Sequence, residues 1–242
     1  MDNIKTIFRR EFAAYFNSPI AYIFIIVFLV LNCGLFMTPF FLQGMADMRD
    51  FFGNLPLFLI FFIPAVSMRL WAEDQRNGTF ELLMTLPMKS SEVMLGKYFA
   101  AMAFYMTALI ATLPIPIMLI VLGNPDVGAI LSGYLGALLL GGLYMSVGIF
   151  TSGLLKDQIS AFILGMLACF VLFLIGIPTV SATIDGWIGG LGSLLAESLG
   201  LMGHYQSLQR GVLELGDLSY FLALTVVFLM LNNLWLEGRK HG

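Results

Sequence analysis

Residues 69–97, RLWAEDQRNGTFELLMTLPMKSSEVMLGK, carry eight charged side chains of a 242-residue chain that has only twelve basic and fifteen acidic residues in all. Long apolar runs flank the stretch on both sides. A polar island between such runs is a segment outside a membrane that joins two segments within it. Inside the island, Asn77-Gly78 predicts a left-handed end to one helix, Thr79 a cap for the next, and Leu86-Pro87 a stop roughly two turns later. The reading is a short helix over residues 80–85, held between two spans.

Composition agrees. The chain is 59% hydrophobic and 11% charged, against about 25% charged in ordinary soluble domains. The fold class expected is all-α integral membrane, a single domain over residues 1–242, with too little chain outside the spans for a soluble catalytic domain. Six spans are read at 20–42, 51–68, 98–125, 127–155, 158–180 and 218–236. This arrangement puts ten of the Lys and Arg residues on one side and only Arg49 and Arg210 on the other, while the fifteen acidic residues divide eight to seven. The bias belongs to Lys and Arg, so the basic side and both termini are expected in the cytosol.

Residues 2–17 read as an amphipathic helix lying in that interface. Ile4, Ile7, Phe8, Phe12 and Tyr15 share one face at 100° per residue, and Arg9 and Arg10 lie opposite. Glu11 falls inside the apolar arc, where a carboxylate is costly unless paired. It is expected either to face a basic residue of the 69–97 island or to snorkel to the headgroups. The second span carries Pro56 and Pro64 and is expected to kink where neighbours can satisfy the freed carbonyls. Gly133, Ala137 and Gly141 of the fourth span recur every four residues and predict a groove for another helix. Residues 181–217 form an outer irregular region. Its apolar piece 186–196 is too short to cross and reads as re-entrant or interfacial.

Several chemistries lack their residues. The spans hold no ionisable side chain near their middle, as an intramembrane hydrolase or an ion-coupled carrier would need. Cys33 and Cys169 lie in separate apolar runs, so no disulfide or metal site is indicated. Met37, Met45, Met48, Met202 and His204 near the outer side read as apolar filler before they read as a soft-metal site. Phe80, Leu82, Leu83 and Leu86 beside Glu81 make the short helix a plug for a groove on a soluble partner, or else a helix packed on the N-terminal one.

The island resembles the coupling segment of ABC-2 type permeases. The residues concerned are Glu73-Asp74-Gln75-Arg76-Asn77-Gly78-Thr79-Phe80-Glu81-Leu82-Leu83, then Leu86-Pro87 and Gly96-Lys97. Arg9-Arg10-Glu11 followed by Asn17-Ser18-Pro19 is similar to that family's elbow helix and the turn into its first span. His204-Tyr205-Gln206-Ser207-Leu208-Gln209-Arg210-Gly211-Val212, leading to Asp217-Leu218-Ser219-Tyr220-Phe221, resembles the subgroup of the gliding-motility-associated and nitrous-oxide-reductase-maturation permeases. The Ser-Pro usual before that histidine is missing, replaced by Leu201-Met202-Gly203.

The resemblance implies a non-catalytic subunit of a bacterial inner-membrane ABC transporter, an exporter or a mechanotransmission device. It binds no cofactor itself, ATP and magnesium residing on a separate ATPase. The partners implied are two ABC ATPase subunits, a second permease subunit in a homodimer, membrane lipid and, as an option, a periplasmic auxiliary protein; nucleic acid is not among them. The docking residues implied are Arg76, Thr79, Phe80, Glu81, Leu82 and Leu83, with Glu11 and Glu73 tying the elbow to the coupling segment. A non-transporting membrane anchor is the competing expectation.

Overall fold

The computed structural model describes residues 2–44, 47–85, 88–123 and 125–241, and all regular structure among them is helical. Six helical stretches are long and apolar enough to cross a membrane: Pro19–Leu42, Arg49–Arg76, Ser90–Leu122, Val127–Leu154, Gln158–Ile175 and Leu215–Arg239. Two of these are composite. The second joins α3 (Arg49–Ser67) to α4 (Arg69–Arg76), and the third joins α6 (Ser90–Ile110) to α7 (Pro114–Leu122). The remaining helices are α1 (Asp2–Phe16), α2 (Pro19–Gln43), α5 (Thr79–Thr85), α8 (Val127–Leu154), α9 (Gln158–Ile175), α10 (Pro178–Trp187), α11 (Leu191–Leu199), α12 (Leu201–Gln209) and α13 (Leu215–His241).

Two expected boundaries move. The first eight residues of the island continue the second span as α4, and the third span begins at Ser90 instead of after Lys97. Ser90-Ser91-Glu92 is a helix-start signature, with Glu92 Oε2 accepting from Lys89 N at 3.3 Å, so Gly96 and Lys97 lie inside a helix. The expected stop at Leu86-Pro87 falls outside the described residues.

Helix α8 is the central post, packing on α3, α4, α6, α9, α12 and α13. Its small-residue face exists, but aromatic rings fill it in place of another helix backbone. A Cβ at Gly133 would overlap the Phe52 ring, and one at Gly141 the Tyr105 ring. The Tyr105 hydroxyl then donates to the Ala137 carbonyl at 2.8 Å. Farther along, Gly148 leaves the space taken by Ser67 of α3.

Helix α3 shows how an apolar medium is satisfied. Pro56 has no N–H, so the Phe52 carbonyl loses its helical donor. The Tyr205 hydroxyl of α12 donates to it at 3.0 Å. At the α3–α4 junction Ser152 of α8 enters the backbone ladder: its Oγ accepts from Trp71 N at 3.0 Å and Ala72 N at 3.1 Å, and donates to Met68 O at 2.8 Å. A side chain inserted between turns is one of the recognised causes of a helix break.

The region expected to lie outside is largely helical. The apolar piece 186–196 is the tip of a helical hairpin, α10 and α11, that turns through Gly190 at φ +82. Asp185 caps α11 by accepting from Ser193 N at 3.0 Å. The hairpin packs on itself and on α9, and Trp187 at its tip is 87% exposed. The more polar α12 is the element drawn into the bundle, because Leu201, Tyr205 and Leu208 fall at helical spacing on one face against α8, α3 and α9. Periodicity, and not total hydrophobicity, selects the buried segment.

Gly141→Val is expected to lower stability by about 1–3 kcal/mol, the usual range for overpacking a close contact. Gly34→Ala, where a Cβ meets nothing within 4 Å, is expected to be neutral or slightly stabilising. Thermal unfolding in detergent checks both. Equal melting temperatures for the two variants would contradict the ring-filled groove.

Candidate functional site

At the basic end of the bundle three helices, α1, α4 and α6, meet on one lysine. Lys97 is 1% exposed. Its ammonium donates to Glu11 Oε1 at 2.9 Å and to Leu70 O at 2.7 Å, and lies 2.7 Å from Asp74 Oδ2, an ion pair angled away from the best hydrogen-bond direction. Two N–H donors of the ammonium thereby go to α1 and to the backbone of α4, and Asp74 of α4 supplies opposite charge beside them. Arg10 adds a second cation against Glu11 at 2.5 Å, so two cations balance two carboxylates. Burial alone pushes the Glu11 pKa up; Lys97 and Arg10 more than offset it and hold the carboxyl below its ordinary value of 4.5.

The local sequence explains the meeting. In α1, Ile7 and Tyr15 are buried beside Glu11 on the stripe that faces α6, while Phe8, Phe12 and Phe16 form a half-buried aromatic ladder alongside it. Helix α6 offers Gly96 where α1 comes closest: a Cβ there would lie 2.8 Å from Ile7 Cβ. Removing one side chain lets the backbones approach, and the next residue reaches Glu11. Tyr15 adds a second tie, donating to Val66 O at 2.9 Å beneath the Arg69 guanidinium, which lies 4.2 Å from its ring centroid. Asn3 adds a third, donating to Glu92 Oε2 at 3.0 Å.

Helix α5 follows from α4 through Asn77 and Gly78, the latter at φ +70 as the Asn-Gly pair predicts. Thr79 does not cap it. It is the first helical residue, and its hydroxyl donates to Asp74 Oδ1 at 2.9 Å, tying α5 to the carboxylate beside Lys97. The six expected docking residues divide between two faces. Phe80 (8% exposed) and Leu83 (5%) are turned inward, Phe80 against Trp71 with ring centroids 5.9 Å apart. Arg76, Thr79, Glu81 and Leu82 face outward, Leu82 at 66% exposure.

Of the two expected elbow contacts, Glu11 meets the island through Lys97. Glu73 lies in the cleft lined by Tyr15 and Arg69, and the acidic side chain of α4 that reaches Lys97 is its neighbour Asp74. One helical step decides between them. Helix-start signals at 90–92 were the available cue that Lys97 lies inside α6; nothing in sequence pairs it with Asp74.

At the opposite end lie His204 of α12, a motif residue also weighed as a soft-metal ligand, and Asp217 of α13, named only as part of the motif. His204 Nδ1 lies 2.6 Å from Asp217 Oδ1, and the imidazole stacks on Tyr220 with centroids 4.1 Å apart. A lone carboxylate in the first turn of an apolar helix was the available signal. Among the described residues no three His, Cys, Asp or Glu side chains converge as metal ligands, and Met45 lies outside those residues.

Lys97→Met leaves Glu11 and Asp74 half-buried with their shared counter-charge gone, and is expected to destabilise the protein by about 2–4 kcal/mol, somewhat less than the loss of one partner of a fully buried pair. Adding Glu11→Gln and Asp74→Asn should recover much of that loss. The pH dependence has a defined sign. Because the Glu11 pKa is depressed in the folded protein, its contribution is complete above 4.5 and is lost as pH falls through the lower folded value. Melting temperatures in detergent, measured against pH, check both; a single variant as stable as wild type would show that the lysine bears no load.

No curated protein matches the chain. The chain does match the ABC-2 type transporter family over residues 2–191. That range takes in α1, the Lys97 centre, α5 and the first five candidate spans. The protein is a multi-pass membrane protein and, as the permease component of an ABC transporter, belongs to the ABC-2 type transporter family.

Proposed function

We propose that this chain is the permease subunit of a bacterial ABC transporter of exporter or mechanotransmission type, that α5 is its coupling helix, and that α1 is its elbow. The observation that carries the reading is the division of α5 into two faces. Phe80 and Leu83 seat the helix on α4, and Glu81, Leu82 and Arg76 are left outward at the basic end. A short helix with one leucine and one carboxylate outward, fixed from behind, suits a cleft on a soluble partner. The partner proposed is an ABC ATPase, which brings the ATP and magnesium.

The mechanism follows from what α5 is attached to. Its connection to α4 is short, and α4 is held by Ser152 of α8, by Lys97 of α6 and, through Lys97, by α1. Closure of a docked ATPase would push on α5 and move α4, and the Lys97 centre would pass that movement to the third span and the elbow as one body. The family supports two ATPases and two permease chains, here a homodimer. It also supports the inner membrane as location, with the basic end and both termini in the cytosol. The finer resemblance to the gliding-motility and nitrous-oxide-reductase-maturation subgroup rests on residues 204–221, beyond the matched range, and we keep it as a proposal on those residues alone.

Affinity purification of the tagged chain in mild detergent is expected to recover an ABC ATPase. Glu81→Arg should leave the chain inserted and folded but reduce ATPase recovery or uncouple hydrolysis, because it reverses a charge on the outward face alone. Wild-type coupling in that variant would sink the docking face. Recovery of no ATPase under several gentle conditions would favour a membrane anchor instead.

For topology, a cysteine at Ser193, exposed on α11, should react with an impermeant maleimide from outside intact cells. Labelling only after the cytosolic face is opened would invert the orientation.

A further inference from the structure

Helix α5 has a hold that the coupling segment itself does not supply. Its main packing partner is α4, yet the aromatic side chain that seats it, Phe80, is covered on its face by a residue of the last span. The Arg239 guanidinium lies 5.2 Å from the Phe80 ring centroid, while Trp71 meets the same ring edge-on. Arg239 Nη1 also donates to Gln75 Oε1 at 2.8 Å. Gln75 passes the connection on, its Nε2 donating to Gly153 O at 2.8 Å. That carbonyl, at the end of α8, accepts a second bond from Trp235 Nε1 at 3.2 Å.

Trp235 and Arg239 are four residues apart and share a face of α13. The first fixes α13 to the end of α8; the second, one turn beyond, reaches past that end to α5. Helix α13 packs on α8 over a long contact with Leu236 fully buried, so the last turn extends from a rigid stem. A guanidinium suits this place because it stacks on a ring and donates in its own plane at once, which an ammonium cannot do.

We propose that Arg239 is a positioning residue that seats α5 against the sixth span, so that displacement of α5 is passed to α13 as well as to the α1–α6 side. The inference rests on the docking reading above and adds a second output to it. One push on α5 would then move both the Lys97 centre and the last span.

The test uses the full chain in detergent or nanodiscs with the ABC ATPase recovered alongside the wild type. Arg239→Met keeps side-chain length and removes both the stacking cation and the donor to Gln75. Affinity for the ATPase should stay within about twofold of wild type, while maximal stimulation of ATP turnover at saturating permease should fall about two- to fivefold, the scale of one exposed cation–π contact. Arg239→Lys should recover part of the stimulation, and Arg239→Met should add little to Phe80→Leu, because both remove the same contact. Weaker binding with unchanged maximal stimulation would make Arg239 a docking contact and overturn the inference. Unchanged binding and stimulation would overturn it as well, leaving the docking reading standing. Failure of the wild-type chain to bind any ABC ATPase would overturn the docking reading and this inference together.

Discussion

A lysine withdrawn almost wholly from solvent is the constraint on which the basic end of the bundle depends. Moving an ammonium out of water costs several kcal/mol, and the loss is offset only where its donors find good acceptors and opposite charge. Lys97 meets both conditions, with Glu11 from α1 and Asp74 and the Leu70 carbonyl from α4 around its nitrogen. Such a centre has little freedom to deform by degrees. Either three helices hold their places together, or charges are stranded in an apolar setting. That makes it a joint suited to carrying movement as a unit.

The remainder of the bundle obeys the same rule with neutral groups. Two breaks in a helical ladder are met by side chains from elsewhere: the Phe52 carbonyl freed by Pro56 accepts from Tyr205, and Ser152 fills the gap between α3 and α4. With little water to repair a lost bond, irregular backbone persists only where another element supplies the partner. These repairs also fix positions. Tyr205 ties α12 to α3, and Ser152 ties the start of α4 to α8.

The short helix is thus carried and not free. Phe80 lies between Trp71 and Arg239, Leu83 is turned inward, and the Thr79 hydroxyl reaches Asp74. What remains outward is narrow, chiefly Glu81, Leu82 and Arg76. A partner that engages so small a face gains specificity from one charge and one leucine, while the seat behind them turns binding into displacement. This division of labour fits the permease component of an ABC transporter.

How much of this was legible without coordinates varies by element. Sequence by itself determined the membrane class, the six spans, the short helix after Asn77-Gly78, the amphipathic α1 and the anomaly of Glu11, because each depends on local periodicity, turn chemistry or the cost of one misplaced charge. It also carried the family resemblance, on residues since matched to the ABC-2 type transporter family. Only the tertiary structure decided that Asp74 and not Glu73 meets Lys97, that Phe80 and Leu83 face inward, that rings fill the Gly133 and Gly141 face, and that α12 is buried in preference to the more apolar 186–196. Each of those outcomes turns on which of two nearby side chains points at a helix distant in the chain. One residue rotates a helix by 100°, and where the neighbouring helix stands is set by the packing of all the others.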